Sequence, residues 1–349
     1  YSVPLDEAVG SYTGDKLQIN VGGQSVLLLS GETAQISGSD ANQLTISIPD
    51  YAVPGETGLT FTDVKMTTPL FNVFEGTSSN ASRDITLSGE LRDGRLTLNL
   101  TPTYKSDIIG VWNLNLETDD FGTATLTPIS IETEQDISGS QFIVQILGAL
   151  LKGSMAVVNI DFQADGNLTA TYNSNLLNDM MPALSGEQIS PVFVHSPLNA
   201  IKWYVKDGAL YLVPNLNLML KNDPSKAQLG PLDPGTITTV GIPLYFKKEG
   251  DKMTVYVSKE QTAPVFGLLS TVISMIDPSF ELSLGGSSLP LRSLLEALVK
   301  PLIDAALAAE RFDLCLNLVA GAIPEEAPQP SEEASAAAVK RLEAFIAQQ

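Results

Sequence analysis

The sequence predicts a mainly β protein, built as two tandem antiparallel barrel-like units, the second of which carries helical insertions. Three observations lead to this fold class. Short apolar runs alternate with polar residues at a period of two, which is typical of half-buried strands. Asp-Gly pairs recur between such runs, and both central positions of a two-residue hairpin turn favour them because they adopt positive φ. A Gly-x-aromatic sequence opens each half, at Gly10 and at Gly110.

Length and charge narrow the classes of function. The 349 residues suit two domains better than one, and the apolar share of 44% is enough for two cores. The net charge of −20 argues against binding to nucleic acid or to an anionic membrane surface, because phosphate contacts need clustered Lys and Arg. No stretch approaches the roughly 20 apolar residues of a transmembrane helix. We therefore expect neither nucleic acid partners nor a transmembrane segment.

Residues 1–106 form the first predicted unit, which is all-β. Gly10-Ser11-Tyr12, followed by alternating Leu17, Ile19 and Val21, predicts its first strand. Asp93-Gly94 predicts a tight hairpin near its end. Further strands are predicted from the alternating runs at 26–29, 44–48, 59–64, 85–87 and 96–100.

Residues 107–321 form the second predicted unit. Trp112, Leu114 and Leu116 alternate with asparagines and predict its first strand. Hairpins are predicted at Asp165-Gly166, at Asp207-Gly208 and, in a looser form, around Gly250. The alternating run 312–318 predicts a last strand, the natural candidate to close the second sheet.

Helical periodicity sets the second unit apart from the first. Apolar residues recur at helical spacing in 142–151, 176–184, 265–276 and 291–307. Pro182 and Pro301 are expected to distort two of these helices. Residues 322–349 follow as a stiff, acidic, Pro-rich linker and a C-terminal helix.

The Gly-x-Trp start and the Asp-Gly meander resemble a calycin, that is, a lipocalin-like barrel. Residues 10–101 are more closely similar to the calycin-like domain of secreted proteins and lipoproteins of gut Bacteroidetes. The layout of residues 1–320 resembles an uncharacterised family of unknown function from the same bacteria. This resemblance implies a secreted, periplasmic or outer-membrane surface lipoprotein, with a signal peptide and a lipid anchor upstream.

The resemblance also implies structural roles for three residues. In lipocalins a Trp packs across the closed end of the barrel, usually with an Arg from a late strand. Trp112 would take this role in the second unit, and Tyr12 stands at the matching position of the first. Arg311, at the start of the last predicted strand, would be the arginine that packs against Trp112.

No catalytic constellation is visible in the sequence. The single histidine, His195, lies among apolar residues and prolines, a setting typical of a packed residue, and no Gly-x-Ser-x-Gly elbow occurs. The single cysteine, Cys315, is predicted to be a buried, inert thiol. Neither a multi-cysteine metal site nor a calcium-binding loop is present, so no cofactor is expected. Acidic patches at 119–120 and 132–136 leave a glycan hydrolase as a remote alternative, since paired carboxylates could converge.

The broad apolar faces of the predicted helices have two interpretations. They form core, which is the usual fate of such faces, or they line an apolar cavity. The second interpretation predicts a binding wall made of Ile146, Leu147, Leu150, Met180, Met181, Leu269 and Val272. The sequence thus predicts a non-catalytic envelope or secreted protein that binds an apolar small molecule in its second unit. The alternative is a structural or protein-interaction module without a small ligand.

Overall fold

The computed structural model describes residues 5–67, 72–115, 128–134, 157–176, 188–215, 234–261 and 308–322, with shorter pieces between them. The chain divides into two compact units between Ile109 and Gly110, three residues beyond the predicted boundary. The short segments 163–166 and 204–206 group with the first unit. The predicted helical segments of the second unit lie almost entirely outside the described residues, as do the linker and helix predicted beyond 322.

The first unit is a nine-stranded sheet preceded by a short helix, α1 (Leu5–Ala8). Its strands are β1 (Gly10–Thr13), β2 (Leu17–Val21), β3 (Gln24–Ser25), β4 (Thr33–Ser37), β5 (Leu44–Ser47), β6 (Thr60–Thr67), β7 (Asn72–Ser79), β8 (Arg83–Arg92) and β9 (Arg95–Tyr104). The strand order is β1-β4-β5-β6-β7-β8-β9-β2-β3. Strands β4 to β9 thus form a simple meander.

The ends of this sheet are brought together by the first strand. Strand β1 pairs antiparallel with β4, and β2 pairs parallel with β9. Only the 3-10 turn Gly14–Lys16 separates β1 from β2, so the two edges lie within about 14 Å of each other. If β1 and β2 count as one bent strand, this strand and β4 to β9 make seven strands. In a closed sheet of seven strands, neighbours cannot all be antiparallel, so one pair must be parallel, and here it is β2 with β9. The sheet is therefore curled into a barrel-like unit.

Apolar side chains fill the interior of the first sheet as one continuous cluster. Strict alternation in β8 and β9 places every second residue inside. A Cβ added to Gly89 would lie 2.9 Å from Leu98 Cδ2 and 3.4 Å from Phe74 Cβ, so the core packs directly against this glycine. Its largest fully buried side chains are Phe61, Phe74, Ile19, Ile36, Leu44, Ile46, Ile85, Leu96, Leu98 and Leu100.

The second unit contains a ten-stranded sheet and two short ribbons. Its strands are β10 (Gly110–Leu114), β11 (Glu117–Thr118), β12 (Ala124–Thr125), β13 (Ile129–Thr133), β14 (Val157–Phe162), β15 (Leu168–Asn173), β16 (Phe193–His195), β17 (Ile201–Lys206), β18 (Ala209–Pro214), β19 (Ile242–Glu249), β20 (Lys252–Val257), β21 (Glu281–Leu284), β22 (Ser287–Pro290) and β23 (Phe312–Ala320). A short helix, α2 (Pro234–Thr239), precedes β19.

Strand β23 lies in the middle of the large sheet, not at its closing edge. The order is β16-β15-β14-β10-β23-β20-β19-β18-β17, with β13 also paired to β23. The predicted strand is therefore confirmed, but it joins the two halves of the sheet. The outer strands β16 and β17 are separated by five residues in the chain, and an isolated bridge joins Asn167 to Lys202. This sheet is also curled.

Both predicted Gly-x-aromatic sequences open a unit. Gly10 has a φ of 154° and Gly110 a φ of 135°, a backbone conformation that side chains other than hydrogen rarely allow. Tyr12 and Trp112, two residues further on, are both buried. In the second unit the strand that follows Gly110, β10, pairs with the last long strand, β23, whereas in the first unit it is the second strand, β2, that pairs with the last strand, β9.

The predicted hairpins form, whereas one predicted strand does not. Asp93-Gly94 and Asp207-Gly208 have positive φ at both positions, as this turn requires. Residues 26–29 were predicted as a strand but lie outside every strand, with Leu27 75% and Leu29 67% exposed. Alternation alone misled here, because the segment lies beyond the short β3 and finds no strand to pair with along its length.

Candidate functional site

A row of polar side chains crosses four neighbouring strands of the second sheet. Asn113 in β10 pairs with Asn159 in β14, Asn159 pairs with Thr171 in β15, and Thr171 pairs with His195 in β16. Directly opposed residues project from the same face of a sheet. These four side chains, called the polar row below, therefore lie side by side on one face.

The polar row is buried. Thr171 is 0%, Asn159 1% and His195 5% exposed, and Asn113 is half-buried. The opposite face of the same strands is apolar, with buried Trp112 at its centre. This part of the sheet is therefore covered on both faces, and one of the covered faces is polar.

Three atoms of the polar row have no hydrogen-bond partner among the described residues. They are His195 Nε2, Asn159 Nδ2 and Asn113 Oδ1, and all three are buried. More than 90% of buried polar groups in proteins are paired, and an unpaired one costs about 1–3 kcal/mol. These three atoms lie on β10, β14 and β16 of one sheet, which makes the polar row the candidate site of the described residues.

A hydrogen bond joins Thr171 to the imidazole of His195. Thr171 Oγ1 lies 3.1 Å from His195 Nδ1. When the buried Thr171 hydroxyl donates to Nδ1, the ring proton is on Nε2. Burial lowers the pKa of His195, and the Asp161 carboxylate opposes this shift in part. In either tautomer, His195 Nε2 has no hydrogen-bond partner in the described part of the chain.

A neighbouring cluster of buried polar groups is fully connected. Asn173, two residues after Thr171 on β15, donates from Nδ2 to Asp179 Oδ2 at 2.7 Å. Its Oδ1 accepts from the backbone N–H of Val192 at 2.9 Å, and Asp179 Oδ1 accepts from that of Ser190 at 3.1 Å. The unpaired atoms are therefore not a general feature of β15, although Asn72 and Asn199 also have unpaired buried side-chain atoms elsewhere in the described residues.

Gly321 holds the Asn113 end of the row. Its N–H donates to the carbonyl of Val111 at 2.9 Å. A Cβ on Gly321 would lie 2.3 Å from Asn113 Cγ and 2.5 Å from Oδ1. Any larger residue would displace the amide, so glycine at this position keeps Asn113 in the row.

All seven predicted binding residues lie outside the described residues. They are Ile146, Leu147, Leu150, Met180, Met181, Leu269 and Val272. The apolar wall that they were predicted to form stays a prediction. Of the predicted structural residues, Trp112 and Tyr12 are buried, and the Tyr12 hydroxyl donates to the carbonyl of Ala8 at 2.6 Å.

Arg311 does not fit the role implied by the lipocalin resemblance. Trp112 pairs with Ala320 at the end of β23, whereas Arg311 precedes its first residue. Nine residues of strand correspond to about 30 Å, which is beyond the reach of an arginine side chain. The Arg311 guanidinium instead forms ion pairs with Asp313 at 2.8 Å and with Glu132 at 3.4 Å. The predicted packing against Trp112 is therefore wrong.

Other candidate sites in the described residues are weaker. An open groove of about 570 Å³ lies on the outer face of β6 to β9, lined among others by Thr62, Lys65, Glu75, Thr77 and Thr86. Its walls are solvated side chains without a buried unpaired group. No cluster of three metal-ligating side chains occurs in the described part of the chain, and no helix there is long and apolar enough to cross a membrane.

Comparison of the chain with protein-family models, with curated proteins and with solved structures finds no match. The resemblance to calycin-like domains therefore stays a prediction from the sequence. The function must be argued from the site itself.

The polar row is not among the sites that the sequence predicts. The sequence predicts a packed residue at His195 and no role for Asn113, Asn159 or Thr171. One signal was present, because polar residues occupy every second position of β15 from Asn167 onwards. Such alternation ordinarily marks a solvent-facing side, and the sequence does not show that this side is buried.

Proposed function

We propose that this chain is a binding protein whose second unit holds a small molecule against the polar row. The three unpaired buried atoms carry this proposal. A ligand that supplies their partners recovers the free energy that their desolvation costs.

The sequence supports an apolar contribution to the same ligand site. The predicted helices offer broad apolar faces, and small-molecule sites typically combine apolar walls with a few convergent polar groups. The resemblance to envelope proteins supports a secreted or cell-envelope location. On this proposal Leu147→Glu lowers uptake of the neutral apolar dye Nile red, measured by fluorescence, while the first unit remains folded.

Asn159→Leu tests the assignment of the site. Leucine has the same number of side-chain heavy atoms as asparagine and removes the unpaired amide. We expect the variant not to bind Nile red in fluorescence titrations, while the wild-type protein binds it. Asn99→Leu, at an exposed position of β9, is the matched control and should bind as the wild type does. Equal binding by wild type and Asn159→Leu would remove the polar row as the site.

A further inference from the structure

The polar row presents a defined pattern of donors and acceptors. The Asn159 Nδ2 amide is a donor and Asn113 Oδ1 is an acceptor, and His195 Nε2 is a second donor when the Thr171 hydroxyl donates to Nδ1. In the order of the strands, the acceptor lies on β10 and the donors lie on β14 and β16. A ligand that satisfies all three must itself carry both an acceptor and a donor.

The spacing of the strands limits where these ligand groups lie. Neighbouring strands are about 4.8 Å apart, so Asn113 and Asn159 are separated by about one such spacing. A planar amide places its carbonyl oxygen and its N–H on different sides of one small group. It can therefore accept from Asn159 while it donates to Asn113.

Charge restricts the ligand further. Strands β10, β14, β15 and β16 contain no Lys or Arg, and Asp161 projects from the same face of β14 as Asn159. An anion in the row would lose its hydration, face this carboxylate and gain no counter-ion from these strands. Lys252 lies in the same row but two strands beyond Asn113, about 10 Å away, and is exposed.

We propose that the polar row selects a neutral amide, which accepts from Asn159 with its carbonyl oxygen and donates to Asn113 with its N–H beside the Thr171–His195 pair, and rejects the corresponding carboxylate. This inference rests on the proposed function and names the chemical class of its ligand. The group recognised is the amide itself, and the rest of the ligand can be apolar or polar.

The single histidine of the chain makes the test specific. Labelling with ¹⁵N-histidine gives imidazole signals that belong to His195 alone. The probes are acetamide and acetate, which have nearly the same shape and differ in charge, added at equal ionic strength. We expect a saturable shift of the Nε2 signal with acetamide and none with acetate. Before any addition, the spectrum should show the proton on Nε2.

Two variants localise the effect. Asn159→Leu should abolish the acetamide response, and Gly321→Ala, which displaces the Asn113 amide, should weaken it roughly tenfold. Asn113→Leu provides the same test if Gly321→Ala disturbs the fold. Unchanged affinity in Asn159→Leu and in Asn113→Leu would overturn the proposal.

Different results contradict the ligand class and the proposed binding function. A saturable response to acetate equal to that with acetamide shows that the row takes anions, which overturns the neutral-amide proposal but keeps the binding function. A response to Nile red alone has the same consequence. If none of the three probes shifts the His195 signals, both proposals fail.

Discussion

Two sets of buried polar groups, one in each unit, differ in how they are paired. In the first unit Arg83 is buried, and its guanidinium binds Glu56 through two hydrogen bonds, Nε to Oε1 at 2.6 Å and Nη2 to Oε2 at 3.0 Å. Its Nη1 donates to the carbonyl and to the hydroxyl of Ser78. In the second unit the polar row is just as buried, yet three of its atoms have no partner among the described residues.

On the proposed function, this difference separates a polar group that stabilises the fold from one that pairs with a ligand. A buried charge is tolerated when it is paired and fully hydrogen-bonded, as Arg83 is. The polar row has the opposite character, since neutral groups are held in place by the sheet register and left unpaired. Asn72 is the described exception in the first unit, and it lies at the point where the described chain resumes after 67.

The largest expected effect comes from breaking the Arg83–Glu56 pair. Arg83→Met leaves the Glu56 carboxylate without its counter-ion, and removal of one partner of a buried pair typically costs about 3–5 kcal/mol. Both tryptophans of the chain, Trp112 and Trp203, belong to the second unit. Urea unfolding followed by circular dichroism should therefore show the loss, while the tryptophan fluorescence transition stays in place.

A double variant sharpens this measurement. Arg83→Met combined with Glu56→Leu removes both charges and should recover most of the lost stability, because no unpaired charge remains. Lys105→Met is the matched control, since Lys105 pairs with Asp84 at 2.8 Å on an exposed surface. A loss in the control as large as that in Arg83→Met would show that the buried pair has no special role.

Asn159→Leu should have an effect of opposite sign. Replacing an unpaired buried amide with an apolar group of similar size removes its desolvation penalty, and we expect the second unit to gain about 1–3 kcal/mol without ligand. Tryptophan fluorescence during urea unfolding measures this gain. A variant that is less stable than the wild type would mean that the Asn159 amide already has hydrogen-bond partners. The polar row would then be paired, as Arg83 is.

The sequence predicted the fold better than the site. Alternation, the Asp-Gly turns and the Gly10 and Gly110 starts are local signals, and each follows from the backbone conformation of a few residues. The central position of β23 depends on pairing between residues some 200 positions apart, which no local pattern encodes.

The polar row could not be predicted for the same reason. Its members come from four strands, and they meet through the register of three strand pairs. A polar residue on an alternating strand is expected to face solvent, and only the fold shows that Thr171 and Asn159 are buried. The role predicted for Arg311 is wrong for a similar reason. The sequence places Arg311 at the start of β23, but it does not show that Trp112 pairs with the other end of that strand.

The smallest expected effect is the pH dependence of the second unit. The pKa of His195 is lowered in the folded protein from its ordinary value of 6.5, chiefly by burial. Above pH 6.5 the imidazole is neutral in both states and has no effect on the free energy of unfolding. As the pH falls below 6.5, the unfolded chain binds the proton first, so stability declines until the folded pKa is passed.

This decline should be confined to the second unit, because the first contains no histidine. We expect the tryptophan-monitored transition to weaken between pH 7 and the folded pKa of His195, and His195→Phe to remove that slope. The ¹⁵N signals of His195 give the folded pKa directly. A His195 that titrates at or above 6.5 would mean that its imidazole is accessible or paired as a cation, and the polar row would then no longer differ in kind from the paired Arg83.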